Sequence, residues 1–160
     1  MQATEATLCH PVVDDEMLLI RKQRGLGAGK LVGPGGKVES GETPREAARR
    51  EVREELRVDP VGLEKRGEFD FHFRDGTVDD DSMYVHVFAA DGVDGEPEAT
   101  EEAVPELHPV SELPYGEMWI DDRVWLPHLV TGETFRGEFV LSDDGESLVR
   151  YEMDIGVEFE

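Results

Sequence analysis

Apolar and polar positions along the chain follow two periods, and the change from one to the other marks out the elements. From Glu5 to Val13 apolar side chains alternate or cluster, and they do so again from Met17 to Gln23 after the turn signal Asp14-Asp15. This predicts a pair of strands. Leu31-Val32 reads as a short extended piece behind the flexible loop Arg24-Gly25-Leu26-Gly27-Ala28-Gly29-Lys30. Between Thr43 and Leu56 the period becomes helical, with Ala48, Val52 and Leu56 recurring every four residues as an apolar stripe. Thr43 is placed to cap that helix, Pro44 suits its first position, and Glu46 completes a capping box.

Extended patterns then return. Val61 to Phe73 predicts a strand with Phe69, Phe71 and Phe73 on one face, and Met83 to Ala90 predicts a central strand rich in β-formers. Arg74 to Ser82 reads as a turn or mobile hairpin loop around Asp75-Gly76, and Asp91 to Thr100 as a Gly/Pro/Glu loop. Ala103 to Val110 predicts a further strand, followed by a turn at Ser111 to Pro114. Met118 to Val130 carries a second helical face, with Asp121 or Asp122 at its start, Val124, Trp125, Leu126 and Leu129 on its apolar side, and Pro127 as a kink. Glu133 to Leu141 and Leu148 to Phe159 close the chain as a hairpin. Strands on both sides of one helix, with a second helix near the end, predict an α/β/α sandwich around a mixed sheet. With no repeat and no dividing linker, residues 1–160 are expected to form one domain.

Charge changes this picture most. The chain has 38 Asp and Glu against 16 Lys and Arg, only four of them lysine, for a net charge of -22. Such self-repulsion destabilises a compact chain in dilute buffer and is screened in strong salt. The composition is similar to that of proteins from salt-accumulating halophiles. A hydrophobic fraction of 38% in periodic segments argues against a disordered acidic chain. No basic face is available for a nucleic-acid duplex. Neither a basic leader nor a run of membrane-spanning length is present, so a soluble, cytoplasmic protein, monomeric or a small homo-oligomer, is expected. The single Cys9 allows no intramolecular disulfide and reads as a small strand residue. The five histidines show no metal-ligand spacing and receive no catalytic role.

The chemistry concentrates between Gly33 and Val58. Gly33, Gly35 and Gly36 tolerate positive φ and let bare backbone approach a phosphate or metal. On the following helix Glu51, Glu54 and Glu55 bring carboxylates together, a repulsive arrangement that calls for a cation. Such oxygens suit Mg²⁺ or Mn²⁺ held jointly with substrate phosphates. Glu51 and Glu55, one helical turn apart, are the favoured ligand pair, and Glu54 is a third ligand or the group that orients water. Lys22 and Lys37 are candidate phosphate contacts.

The spacing from Gly36 to Glu42 and on to Arg50-Glu51-Val52-Arg53-Glu54-Glu55-Leu56-Arg57-Val58 resembles the Nudix box, G-x5-E-x7-R-E-U-x-E-E-x-G-U. Arg57 stands where that pattern has its last glycine, which bears on how the helix ends. The resemblance implies the sandwich fold, divalent-metal-dependent hydrolysis of a nucleoside diphosphate linkage, a metal-binding Gly36 carbonyl and an Arg50–Glu42 ion pair that joins loop to helix. It also implies a further acidic ligand from a later loop, Glu101 or Glu102.

Beyond the box, R-G-L-G-A-G-K, V-H-V-F and M-W-I-D-D-R-V-W-L-P are similar to segments of the animal MutT-homologue branch, which acts on oxidised purine nucleoside triphosphates such as 8-oxo-dGTP. That implies base stacking on Trp119, reading of the purine edge by Asp121 and Asp122, and Phe71 and Phe73 beside the pocket. A core tryptophan beside helix-capping aspartates is the structural alternative. Val32 replaces an asparagine that bonds the base in that branch, and Leu26 an aromatic. Two other functions stay open: hydrolysis of ADP-ribose or another diphosphate-linked nucleotide, and a non-catalytic nucleotide sensor.

Overall fold

A computed structural model of the chain describes residues 4–25, 27–73 and 82–159. In order, the elements are β1 (Thr4–Val13), β2 (Glu16–Lys22), β3 (Leu31–Val32), β4 (Gly35–Lys37), α1 (Pro44–Leu56), β5 (Asp59–Val61) and β6 (Glu64–Phe73). They continue with β7 (Met83–Ala90), β8 (Gly92–Asp94), β9 (Ala103–Pro109), α2 (Asp122–Val130), β10 (Phe135–Leu141) and β11 (Leu148–Ile155). The main sheet runs β11-β10-β6-β7-β1-β2-β3, with β4 added on β1 and β9 on β2. It is mixed: β1 lies parallel to β7, and β6 to β10, while the other pairs are antiparallel. As the sequence pattern predicts, β7 is central and β10–β11 is a hairpin.

Alternation along the strands sends side chains to two cores. Met17 and Leu19 of β2 join Val85, Val87, Phe69, Trp125 and Phe139 on the α2 face. Leu18 and Ile20, one residue out of step, join Cys9, Val52 and Leu56 on the α1 face. A sheet buried on both faces by helices is the sandwich expected from the element order. Val52 and Leu56 are fully buried, each contributing about 1.5–3 kcal/mol by removal from water. The capping box forms as the sequence predicts, Thr43 Oγ1 accepting from Glu46 N and Glu46 Oε1 from Thr43 N. Cys9 is fully buried, and burial pushes its thiol up to about 12.

Several local readings are corrected. The expected β1–β2 pair meets only at its turn, through Val12↔Met17 and Val13↔Glu16, where Asp14 and Asp15 both take positive φ. Earlier in β1, Ala6 to Leu8 pair instead with β4. The two strands diverge there, and residues 33–37 fill part of the wedge. The glycine-rich stretch is therefore partly a strand. The single strand expected from Val61 to Phe73 is interrupted at Gly62, whose φ of 68° turns the chain. The piece before it, β5, pairs with β8, inside a stretch that reads as loop. Leu26 and residues 74–81, including most of the expected Arg74–Ser82 loop, lie outside the described residues. No helix among the described residues is long and apolar enough to cross a membrane.

Candidate active site

Arg50, near the middle of α1, ties the glycine-rich stretch to the helix. Its Nε and Nη2 donate to the two Glu42 oxygens at 2.8 and 2.9 Å, and Nη2 also donates to the Lys37 carbonyl at 2.9 Å. The guanidinium holds the Glu42 carboxyl down at about 2. Nη1 donates in the other direction, to Glu51 at 2.5 Å and Glu54 at 2.8 Å. The repulsion read from the carboxylate spacing is thus partly relieved from within the chain, and it does not by itself require an outside cation.

The three carboxylates do not share one strip. Glu54 is half exposed, Glu51 is largely buried, and Glu55 retains only 4% exposure. Glu55 Oε1 accepts from Gly35 N–H at 2.8 Å, which binds the helix to β4. The glycines permit this by close approach. A Cβ on Gly35 would lie 2.0 Å from the Thr7 carbonyl oxygen, and one on Gly36 would lie 2.5 Å from Glu51 Oε2. Neither position takes the positive φ that the sequence allowed. Burial pushes the Glu55 carboxyl up to about 8, with Glu51 and Glu102 adding to the rise and the Gly35 N–H and Lys22 opposing it. Glu51 is raised too, by burial first, against the pull of Arg50.

Glu102 is brought over this cluster by its neighbours. Thr100 Oγ1 donates to the Glu55 carbonyl at 2.9 Å, and Gln23 N–H to the Glu102 carbonyl at 2.9 Å. Arg24 pairs with Glu102 at 3.0 Å but reaches the 91%-exposed Glu101 only at 4.0 Å. The charge of Glu102 acts on both Glu51 and Glu55. Among the described residues, no three acidic, imidazole or thiol groups are already gathered around a common point as in a filled metal site. The donor chemistry nevertheless fits a hard divalent cation. Glu55 is a buried carboxylate whose only hydrogen-bond partner among the described residues is a backbone amide, with Glu51 one turn away beside bare backbone.

A cavity of about 390 Å³ opens where β1 and β2 diverge. Gly35, Gly36, Lys22, Lys37 and Glu55 line part of it; Val32, Phe71, Trp119, Asp121 and Asp122 line the rest. The Trp119 ring meets Phe71 edge-on at 5.7 Å and Phe73 at 6.1 Å, and Lys30 Nζ sits 5.1 Å from its centroid. Two loops hold its rim, since a Cβ on Gly27 or Gly145 would come within 2.9 or 2.7 Å of the ring. Asp121 occupies the position before α2 yet makes no capping bond; its Oδ2 accepts from Trp125 Nε1 at 2.8 Å. Burial raises both neighbouring carboxyls. Asp122 rises further because Asp121 repels its charge, with Lys30 opposing. Val32 presents only methyl groups to this cavity, and Pro127 stays inside α2 without ending it. His10, 1% exposed, is a lining residue that irregular histidine spacing does not mark. The signal for it is subtler: a polar residue inside the apolar alternation of Leu8 and Val12.

The family profile of the NUDIX domain matches residues 4–129, from the start of β1 through nearly all of α2. The chain belongs to the Nudix family. Among curated Nudix relatives, it is 41% identical over 133 residues to the oxidized purine nucleoside triphosphate hydrolase of Danio rerio, covering 83% of each chain. It is 35% identical over 147 residues to the Mus musculus protein of the same name, covering 92% of each. Among solved structures, a MutT protein from Bacillus halodurans superposes with a TM-score of 0.83 at 28% identity, over 94% of this chain and 97% of that one. This Nudix chain therefore shares its mixed sheet and two helices with MutT-like structures.

Proposed function

We propose that residues 1–160 act as a single Nudix domain that hydrolyses purine nucleoside triphosphates, oxidised ones such as 8-oxo-dGTP among them, to the monophosphate and pyrophosphate. The observation that carries this reading is that one cavity runs from Glu55 of α1 and the Gly35–Gly36 backbone to the Trp119–Asp122 pocket, so that phosphates and base have adjoining places. The curated relatives named for oxidised purine nucleotides support it.

Each part of the chain has a role in this reading. Glu51 and Glu55, with the Gly36 carbonyl and Glu102, would hold Mg²⁺ or Mn²⁺. Such an ion, when bound, neutralises phosphate oxygens and lowers the pKa of coordinated water. Glu54, which faces solvent, is suited to orient the attacking water. Lys22 and Lys37 add point charges for the phosphates, and the Gly35 backbone lets them approach. Arg50 and Glu42 keep β4 and α1 in register. Trp119 supplies a stacking face, and the Asp121–Asp122 pair presents a carboxyl and a carboxylate to the purine edge. The excess of acid supports a salt-rich cytoplasm as the working medium.

Product analysis in high salt with Mg²⁺, on 8-oxo-dGTP, dGTP and ADP-ribose, tests the proposal. Monophosphate and pyrophosphate from a purine triphosphate are expected. Preferred cleavage of ADP-ribose would move the substrate to a diphosphate-linked nucleotide, and binding without phosphate or pyrophosphate release would make the domain a sensor. Glu55→Gln keeps an acceptor for Gly35 N–H, so it is expected to lower turnover at least ~100-fold while the fold persists. Near-full activity in that variant would refute the metal-site assignment.

A further inference from the structure

His10 is a cavity residue whose chemistry the proposed reaction leaves unused. It projects from β1 on the same face as Leu8 and Val12, its ring meets Trp125 edge-on at 5.5 Å, and it is 1% exposed. Its Nδ1 is buried without a hydrogen-bond partner among the described residues. The same holds for Asp121 Oδ1, whose other oxygen is taken by Trp125 Nε1. Two orphaned polar atoms thus belong to residues lining one cavity, and both residues pack against the same indole.

Leaving such a group unpaired destabilises the fold, and an apolar side chain would fill the space against Trp125 without that cost. The surroundings also make room for the imidazole. A Cβ on Gly33 would come within 2.6 Å of His10 Nε2 and 2.7 Å of its Cε1, so the bare backbone at residue 33 is what lets the ring lie there. Burial pushes the His10 pKa down to about 3, which keeps the ring neutral, with one nitrogen donating and the other accepting. A neutral imidazole can therefore meet either a ring N–H or a carbonyl of a base. Val32, on the same cavity wall, can meet neither.

We propose that His10 is a specificity-determining residue that, together with Asp121 Oδ1, hydrogen-bonds the edge of a purine base in this cavity and takes over the polar recognition that Val32 lacks. The inference rests on the purine-nucleotide reading above and deepens it. It concerns binding of the base, so it is separable from the metal and from turnover.

The test is calorimetric titration of the intact protein with 8-oxo-dGMP and dGMP, in high salt with EDTA, where no hydrolysis can occur. His10→Leu, which preserves apolar packing against Trp125, is expected to weaken binding of the preferred monophosphate about tenfold, the value of one net hydrogen bond. It should also narrow the difference between the two ligands. His10→Gln, which keeps one donor and one acceptor, should retain most of the affinity. A merely structural histidine predicts the reverse pattern: both variants lower the melting temperature and neither changes discrimination between the ligands. Equal affinities for wild type and His10→Leu, both folded, overturn this proposal alone. Failure of the wild type to bind either monophosphate overturns the purine reading and this proposal with it.

Discussion

The Glu51 carboxylate lies where a side chain on residue 36 would begin: a Cβ there would sit 2.5 Å from Oε2 and 2.6 Å from Cδ. The atoms it would meet are the far end of a flexible side chain, so Gly36→Ala need not disturb the sheet. It would displace the carboxylate instead. We expect turnover to fall at least tenfold, since a displacement of about 1 Å at a reacting group can cost 10²-fold. The melting temperature should stay within a few degrees of wild type. Unchanged turnover at saturating Mg²⁺ would show that the position of Glu51 against the backbone does not matter to the reaction.

How far the sequence discloses this arrangement depends on the size of each element. The thirteen residues of α1 carry a period, a cap and a proline that all agree, and the helix forms as they predict. Phe69 and Phe71 likewise fall on one buried face. Strands β4, β5 and β8 have three residues each, too few to show alternation, and two of them contain glycine; they exist because neighbouring chain offers hydrogen bonds. The divergence of β1 from β2 is invisible for a related reason. Both strands have the right pattern to pair, and the competing partners decide otherwise, β4 on β1 and β3 on β2. At the site, the box spacing points to Glu42, Arg50, Glu51 and Glu55, and the structure sets all four side chains along the glycine-rich stretch. The spacing does not show that Arg50 reaches Glu51 and Glu54 as well as Glu42, because that is a matter of rotamers.

Arg57 ends α1 in the left-handed region, with φ 62° and ψ 29°, while its N–H donates to the Arg53 carbonyl. A side chain there costs about 1–2 kcal/mol relative to glycine, partly offset by the greater freedom glycine gains in the unfolded chain. Arg57→Gly is therefore expected to stabilise the protein by roughly 0.5–1 kcal/mol, a rise of about 1–4 °C in melting temperature. Activity should be unchanged. A lower melting temperature would mean that the arginine makes a contribution of its own at the helix end.

Charge sets a second expectation. The 38 carboxylates outnumber the 16 basic residues by 22, an excess of negative charge that no internal pairing can neutralise. Raising salt weakens the ion pairs, such as Arg50–Glu42, but it also screens the much larger number of like-charge contacts. The Debye length falls from about 10 Å at 0.1 M to about 3 Å at 1 M. We expect melting temperature to climb by roughly 10 °C over that range, corresponding to a few kcal/mol. Thermal melts in KCl at constant pH provide the check, and a flat or falling curve would argue that the acidic surface is no adaptation to salt.

The Asp121–Asp122 pair makes stability depend on pH with a definite sign. Burial raises both carboxyls above their ordinary value of 3.8, Asp122 the more because Asp121 adjoins it. The folded protein therefore binds protons more tightly at these sites than the unfolded chain does. The stability this confers is complete below the unfolded value and is lost as pH rises through the raised ones. Asp122→Asn removes one of the two charges that the fold must bury at high pH. It should match wild type near pH 4 and exceed it near pH 8 by on the order of 1–3 kcal/mol, because a tenfold change in proton affinity on folding is worth about 1.4 kcal/mol. Melting curves of the two proteins collected from pH 4 to 8 would then diverge steadily, with wild type falling away. If they ran parallel, the carboxyls would have to be hydrated or otherwise compensated, and the protonated carboxyl proposed to face the purine edge would have no reason to keep its proton.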